Sequence, residues 1–75
     1  MTLEEVEVGQ PARILHLKVS GLTRRRLLDL GLLPGTTIRV LMKSALGDPI
    51  AYDVRGSTLA LRLEDASKIV VERLT

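Results

Sequence analysis

The chain has 75 residues and no cysteine, so it is expected to form a single domain over residues 1–75, with neither a disulfide nor a thiolate zinc site supporting a core of modest size. Hydrophobic residues make up 45% and Tyr52 is the only aromatic, which excludes a disordered chain and predicts an aliphatic core. The formal charge of +2 excludes a polyelectrolyte, and the longest uncharged stretch, residues 30–38, is far shorter than the roughly 18 apolar residues of a membrane span.

Thr2-Leu3-Glu4-Glu5 has the Thr-x-x-Glu spacing of a capping box and predicts one short helical turn. The acidic character of this stretch does not read as a signal peptide, so a cytosolic location without direct membrane insertion is expected. Pro11 biases Gln10 toward extension, and a first strand is predicted through about Leu17, broken by Ser20-Gly21. Residues 22–30 are mostly good helix formers, with Ser20 as N-cap and Gly31 where a left-handed C-cap residue belongs. At about 100° per residue, Thr23, Leu27 and Leu30 share one face, while Leu28 falls between Arg24 and Arg25 on the far side and is expected to be exposed.

Leu33-Pro34-Gly35-Thr36 has the residues of a type II turn, Pro presetting its own φ and Gly accepting a positive one. Residues 37–43 alternate as a half-buried strand, with Ile38, Val40 and Met42 inward and Leu41 the apolar exception. After the loop 44–49, strands are predicted at 50–54 and 58–63, joined as a hairpin through Arg55-Gly56-Ser57. A helical turn at 64–67 precedes a last strand from Ile69. Five short strands and one short α-helix inserted after the first strand predict a mainly β fold closed into a small barrel. The turn before the last strand points to the SH3-like variety rather than an OB-fold.

The catalytic inventory is thin. His16 is the only histidine, lies in a strand without a nearby carboxylate, and reads as a surface residue, so no triad or catalytic site is expected. Glu4, Glu5 and Glu7 are explained by the positive end of the first turn rather than by a metal, and no cofactor is expected. Gly47-Asp48-Pro49 lacks the Lys and following helix of a phosphate loop; it reads as a tight turn or a partner contact. Residues 11–43 carry seven basic residues against Asp29, with Arg24-Arg25-Arg26 the densest part. Consecutive residues spread around a helix, and Arg26 is expected at the edge of the core face with its head in solvent. Nucleic acid is not an expected partner, because base-stacking aromatics are missing.

Residues 26–36 (Arg-Leu-Leu-Asp-Leu-Gly-Leu-Leu-Pro-Gly-Thr), then Gly47-Asp48-Pro49, then Leu59-Ala60-Leu61-Arg62 with Ala66 and Ile69, resemble the FeoA family. These are small cytosolic partners of the bacterial ferrous-iron transporter FeoB, similar to the last domain of iron-dependent repressors of the diphtheria-toxin type. The resemblance implies an SH3-like barrel and a non-enzymatic accessory role in Fe(II) uptake, exerted on a FeoB-type membrane GTPase and peripheral to the membrane through that partner. On this reading Leu28 and Leu32 are apolar docking anchors, Arg24 and Arg25 surround them, and Gly47, Asp48 and Pro49 are a further contact. Leu27 and Leu30 are expected in the core, Gly31 at the helix cap, and Pro34 with Gly35 in the turn. Two alternatives stay open: a repressor-like module binding nucleic acid or peptide, and a metal sensor using His16 with carboxylates. A homo-oligomer through a strand edge or through Val70 and Leu74 is also left open.

Overall fold

A computed structural model describes residues 1–74. The capping box forms: the Glu5 carboxylate accepts the Thr2 backbone N–H at 2.7 Å at the head of a 3-10 turn, Leu3–Glu5. That bond, with a second from the Thr2 hydroxyl, holds the Glu5 carboxyl below the ordinary carboxylate range. The turn exists to place Leu3 and Val6, both buried, against the core.

Five antiparallel strands follow: β1 (Pro11–Leu17), β2 (Thr37–Lys43), β3 (Ile50–Val54), β4 (Ser57–Leu61) and β5 (Ile69–Arg73), in the spatial order β4-β3-β2-β1-β5. Helix α1 (Gly21–Asp29) fills the β1–β2 connection and α2 (Leu63–Ala66) the β4–β5 connection. This is the mainly β fold with one inserted helix that the element pattern predicts. One layer of inward side chains, among them Ile14, Leu27, Leu32, Ile38, Ile50, Tyr52 and Ile69, forms the core. Ile14, Ile38, Ile50, Tyr52 and Ile69 are inward positions of strands, where burial follows the period of two, and Leu27 and Leu32 reach the same layer from α1 and the loop after it.

Two bulges break that period. In β1, Ile14 pairs with Val71 but His16 pairs with Val70, so Leu15 and His16 are both exposed and Leu17 turns inward. In β2, Val40 pairs with Tyr52 but Met42 with Ala51. Leu41 is the extra residue, and Met42, expected inward, is 62% exposed. A bulge adds one residue to one strand, so every side chain beyond it changes face.

The β3–β4 hairpin is tighter than the three-residue link expected. Val54 pairs with Ser57, leaving only Arg55 and Gly56 in the loop, at φ 54° and 85°. Positive φ at both positions belongs to a type I′ turn, whose twist matches that of the strands it joins. β4 correspondingly begins and ends earlier than its apolar run implies, and Leu63 opens α2.

Candidate docking surface

The surface is organised by the way α1 ends. Gly31, at φ 96°, donates its N–H to the Leu28 carbonyl at 2.9 Å, and Leu32 donates to the Leu27 carbonyl at 3.1 Å. These two bonds are a Schellman motif, in which a left-handed residue satisfies the last helical carbonyls and folds the following residue back onto the final turn. Leu32 is thereby driven against Leu27, and both are 0% exposed. The expectation of Leu32 as an exposed anchor is corrected: the helix does not continue to Leu32, so four-residue spacing from Leu28 places nothing beside it.

The faces of α1 also differ from those expected. Leu27 is core, but Leu28 is half-buried and packed against the core, while Leu30 is 44% exposed. The helix is turned toward Leu28, and Leu30, as the C-cap, lies beyond the last full helical turn. Beside it Leu33 is also exposed, in the type II turn that forms as predicted, with the Thr36 N–H donating to the Leu33 carbonyl at 3.0 Å and Gly35 at φ 90°. Leu30 and Leu33 are apolar surface residues at the helix exit that sequence reasoning missed, as is Leu22 in the first turn of α1. The Leu-x-x-x-Gly-Leu spacing of Leu27, Gly31 and Leu32 is the signal that identifies the inward pair and leaves Leu30 and Leu33 outside.

The three consecutive arginines separate by task. Arg24 and Arg25 are exposed and form no ion pair among the described residues. Arg26 donates to the Asp65 carboxylate at 2.8 Å, with side chains 54% and 10% exposed respectively. This bond ties α1 to α2. Ser20 has the extended backbone of an N-cap but makes no side-chain cap bond, and α1 begins on Gly21 at φ 69°.

Gly47, Asp48 and Pro49 lie in the β2–β3 loop, with Gly47 in a turn closed on the Ser44 carbonyl at 2.8 Å and a cis bond between Asp48 and Pro49. The Asp48 carboxylate accepts the Leu63 N–H at 3.0 Å and stands 3.7 Å from the Arg62 guanidinium. It therefore serves the first turn of α2, and the loop has a structural task within the fold. His16 is exposed on β1. Among the described residues no three His, Cys, Asp or Glu side chains converge as metal ligands, and no helix is long and apolar enough to cross a membrane. Tyr52 is fully buried with its hydroxyl unpartnered; burial, reinforced by the charge of Glu4, pushes its phenol well above the ordinary value.

The model of the FeoA domain matches residues 1–73. A fusion protein of Fe(2+) transport protein A and the Fe(2+) transporter FeoB from Porphyromonas gingivalis is 37% identical over 75 residues, all of this chain and 9% of that protein. The chain thus spans less than a tenth of the curated relative it matches. The solution structure of iron(II) transport protein A from Clostridium thermocellum superposes with TM-score 0.96 at 36% identity, covering 99% of this chain and 46% of that one. A FeoA from Stenotrophomonas maltophilia, crystallised with zinc and described as an SH3 domain protein, superposes with TM-score 0.85 at 29% identity, covering 96% and 89% of the two chains. The barrel is SH3-like, as expected.

Proposed function

The chain belongs to the FeoA domain family, which is linked to ferrous iron transport, and from that membership we propose that it is a non-enzymatic accessory module docking on the cytosolic part of a FeoB-type transporter. The observation that carries this reading is the relative in which such a domain and FeoB are one polypeptide, since fusion holds the two at high effective concentration. The docking surface is α1 with its exit: Arg24 and Arg25 supply free guanidinium groups, Leu28 a partly covered apolar body, and Leu30 and Leu33 the apolar rim. An acidic surface with apolar insets on the transporter complements it. A Pro-rich segment is not the expected ligand, because the one aromatic that could line a groove for it, Tyr52, is entirely buried.

The test is calorimetry or a pull-down with the soluble cytosolic domain of a FeoB-type transporter, with and without guanine nucleotide. Arg25→Glu is expected to weaken association by tenfold or so while leaving the melting temperature unchanged. Absence of association in every nucleotide state would overturn the reading. Steeply salt-dependent binding to DNA would instead favour a repressor-like module.

A further inference from the structure

A cleft of about 430 Å³ opens on the outer face of the sheet between the Gly35 turn and the β3–β4 hairpin, lined by Thr36, Thr37, Arg39, Asp53, Arg55 and Gly56. Three arginines belong to this neighbourhood, and their partners differ. Arg13, directly across from Thr37, is neutralised by Glu72 at 2.9 Å. Arg39 uses one donor on the Gly9 carbonyl at 2.7 Å, and Arg55 one on the Thr36 hydroxyl at 3.4 Å. Neither forms an ion pair among the described residues. A guanidinium has about five N–H donors, so most of each fork faces the cleft or solvent unsatisfied by protein.

Two details make the arrangement hard to explain as ordinary surface. Arg39 sits in register opposite Asp53, where a cross-strand ion pair is the natural outcome. No such pair forms, and the Asp53 carboxylate instead accepts the Gly56 N–H at 3.0 Å and braces the hairpin. Arg55 holds the first loop position at φ 54°, where Asn, Asp or Gly fit without strain. The turn itself therefore gives no reason for an arginine there, and its side chain is what the position contributes.

We propose that this cleft binds a carboxylate, an Asp or Glu side chain of an extended acidic peptide segment, between the Arg39 and Arg55 guanidinium groups with the Thr37 hydroxyl beside it. Fork-to-carboxylate geometry favours bidentate contacts. Two arginines against Asp53 leave a single net positive charge in the cleft, which one carboxylate balances; a phosphate dianion would overshoot and face Asp53 in a confined space. The cleft is separate from Arg24 and Arg25, so it stands whether or not α1 is the docking face.

Titration of the ¹⁵N-labelled chain with a short oligoglutamate peptide, and separately with inorganic phosphate, tests it by amide NMR. Saturable shifts at Thr37, Asp53 and Gly56 with the peptide, weakening as salt is added, are expected. Arg55→Asn is the informative variant, because asparagine suits the left-handed position: the melting temperature should hold or rise while peptide affinity falls by about tenfold, the loss of one charge-assisted contact. Arg39→Gln should weaken binding similarly. Shifts confined to α1, shifts that persist unchanged in Arg55→Asn, or equal saturation by phosphate would each overturn the assignment.

Discussion

Leu32 donates its backbone N–H to the Leu27 carbonyl across 3.1 Å, and the two side chains, five positions apart, are both completely buried. The main-chain bond places both side chains in the same buried cluster.

Leu27→Ala and Leu32→Ala should each destabilise the fold by about 2 to 5 kcal/mol, the range for emptying a buried leucine site. Leu30→Ala, at a half-exposed position, should stay within about 0.5 kcal/mol. Urea unfolding of the three variants checks this; a neutral Leu32→Ala would return that residue to the surface.

Arg26→Ala should reduce stability by about 1 to 2 kcal/mol, because Asp65 is left nearly buried without its cation, although solvent around Arg26 screens part of the interaction. Arg24→Ala and Arg25→Ala should be nearly silent. Adding Asp65→Asn to Arg26→Ala should recover part of the loss, since the stranded charge is then removed. Three equal effects along the run would mean that the Arg26–Asp65 bond contributes nothing special.

Tyr52→Phe should stabilise by about 1 kcal/mol by removing a buried hydroxyl without a partner. The same residue sets a pH dependence. Its phenol ionises at about pH 10 in the unfolded chain but higher in the fold, so above that pH the folded state binds the extra proton and stability falls as pH rises. Thermal melts between about pH 9 and 11 should show a steeper decline for the wild type than for Tyr52→Phe, and parallel curves would contradict the burial argument.

Asp48→Ala removes the acceptor of the Leu63 N–H and should cost about 1 kcal/mol, with faster amide exchange at Leu63. Transporter binding should be unaffected once folding is accounted for. Lost association at full stability would instead identify the Gly47-Asp48-Pro49 loop as a contact.

Features legible in the sequence are those governed by near neighbours. The Thr2–Glu5 box, the Gly31 cap, the Pro34-Gly35 turn and the strand alternation of Ile50, Tyr52 and Val54 all depend on residues a few positions apart, and all form. What stayed hidden depends on partners far along the chain or on a single inserted residue. Nothing near Arg26 announces Asp65, and nothing near Asp48 announces Leu63. The bulge at Leu41 is set by pairing with β3, so alternation assigned Met42 to the wrong face. In the proposed docking surface, Arg24 and Arg25 are exposed as expected. Leu32 and Leu30 exchanged places because helix phase was extrapolated past the residue at which the helix stops.

The sheet order also dictates when the protein becomes itself. β2, β3 and β4 are joined by short connections and β1 can pair with β2, whereas the other edge of β1 must wait for β5, with Arg13 and Glu72 separated by 59 positions. Contacts of that separation carry the largest loop-closure penalty and form late. Until β5 arrives, Ile14 and the edge of β1 are open, and so is the seat of the first turn, which closes through the Thr2–Val70 bridge. Docking of β5 therefore closes the free edge of β1 and seats the first turn in one step, and a chain lacking that pairing leaves an open strand edge of the kind that invites aggregation.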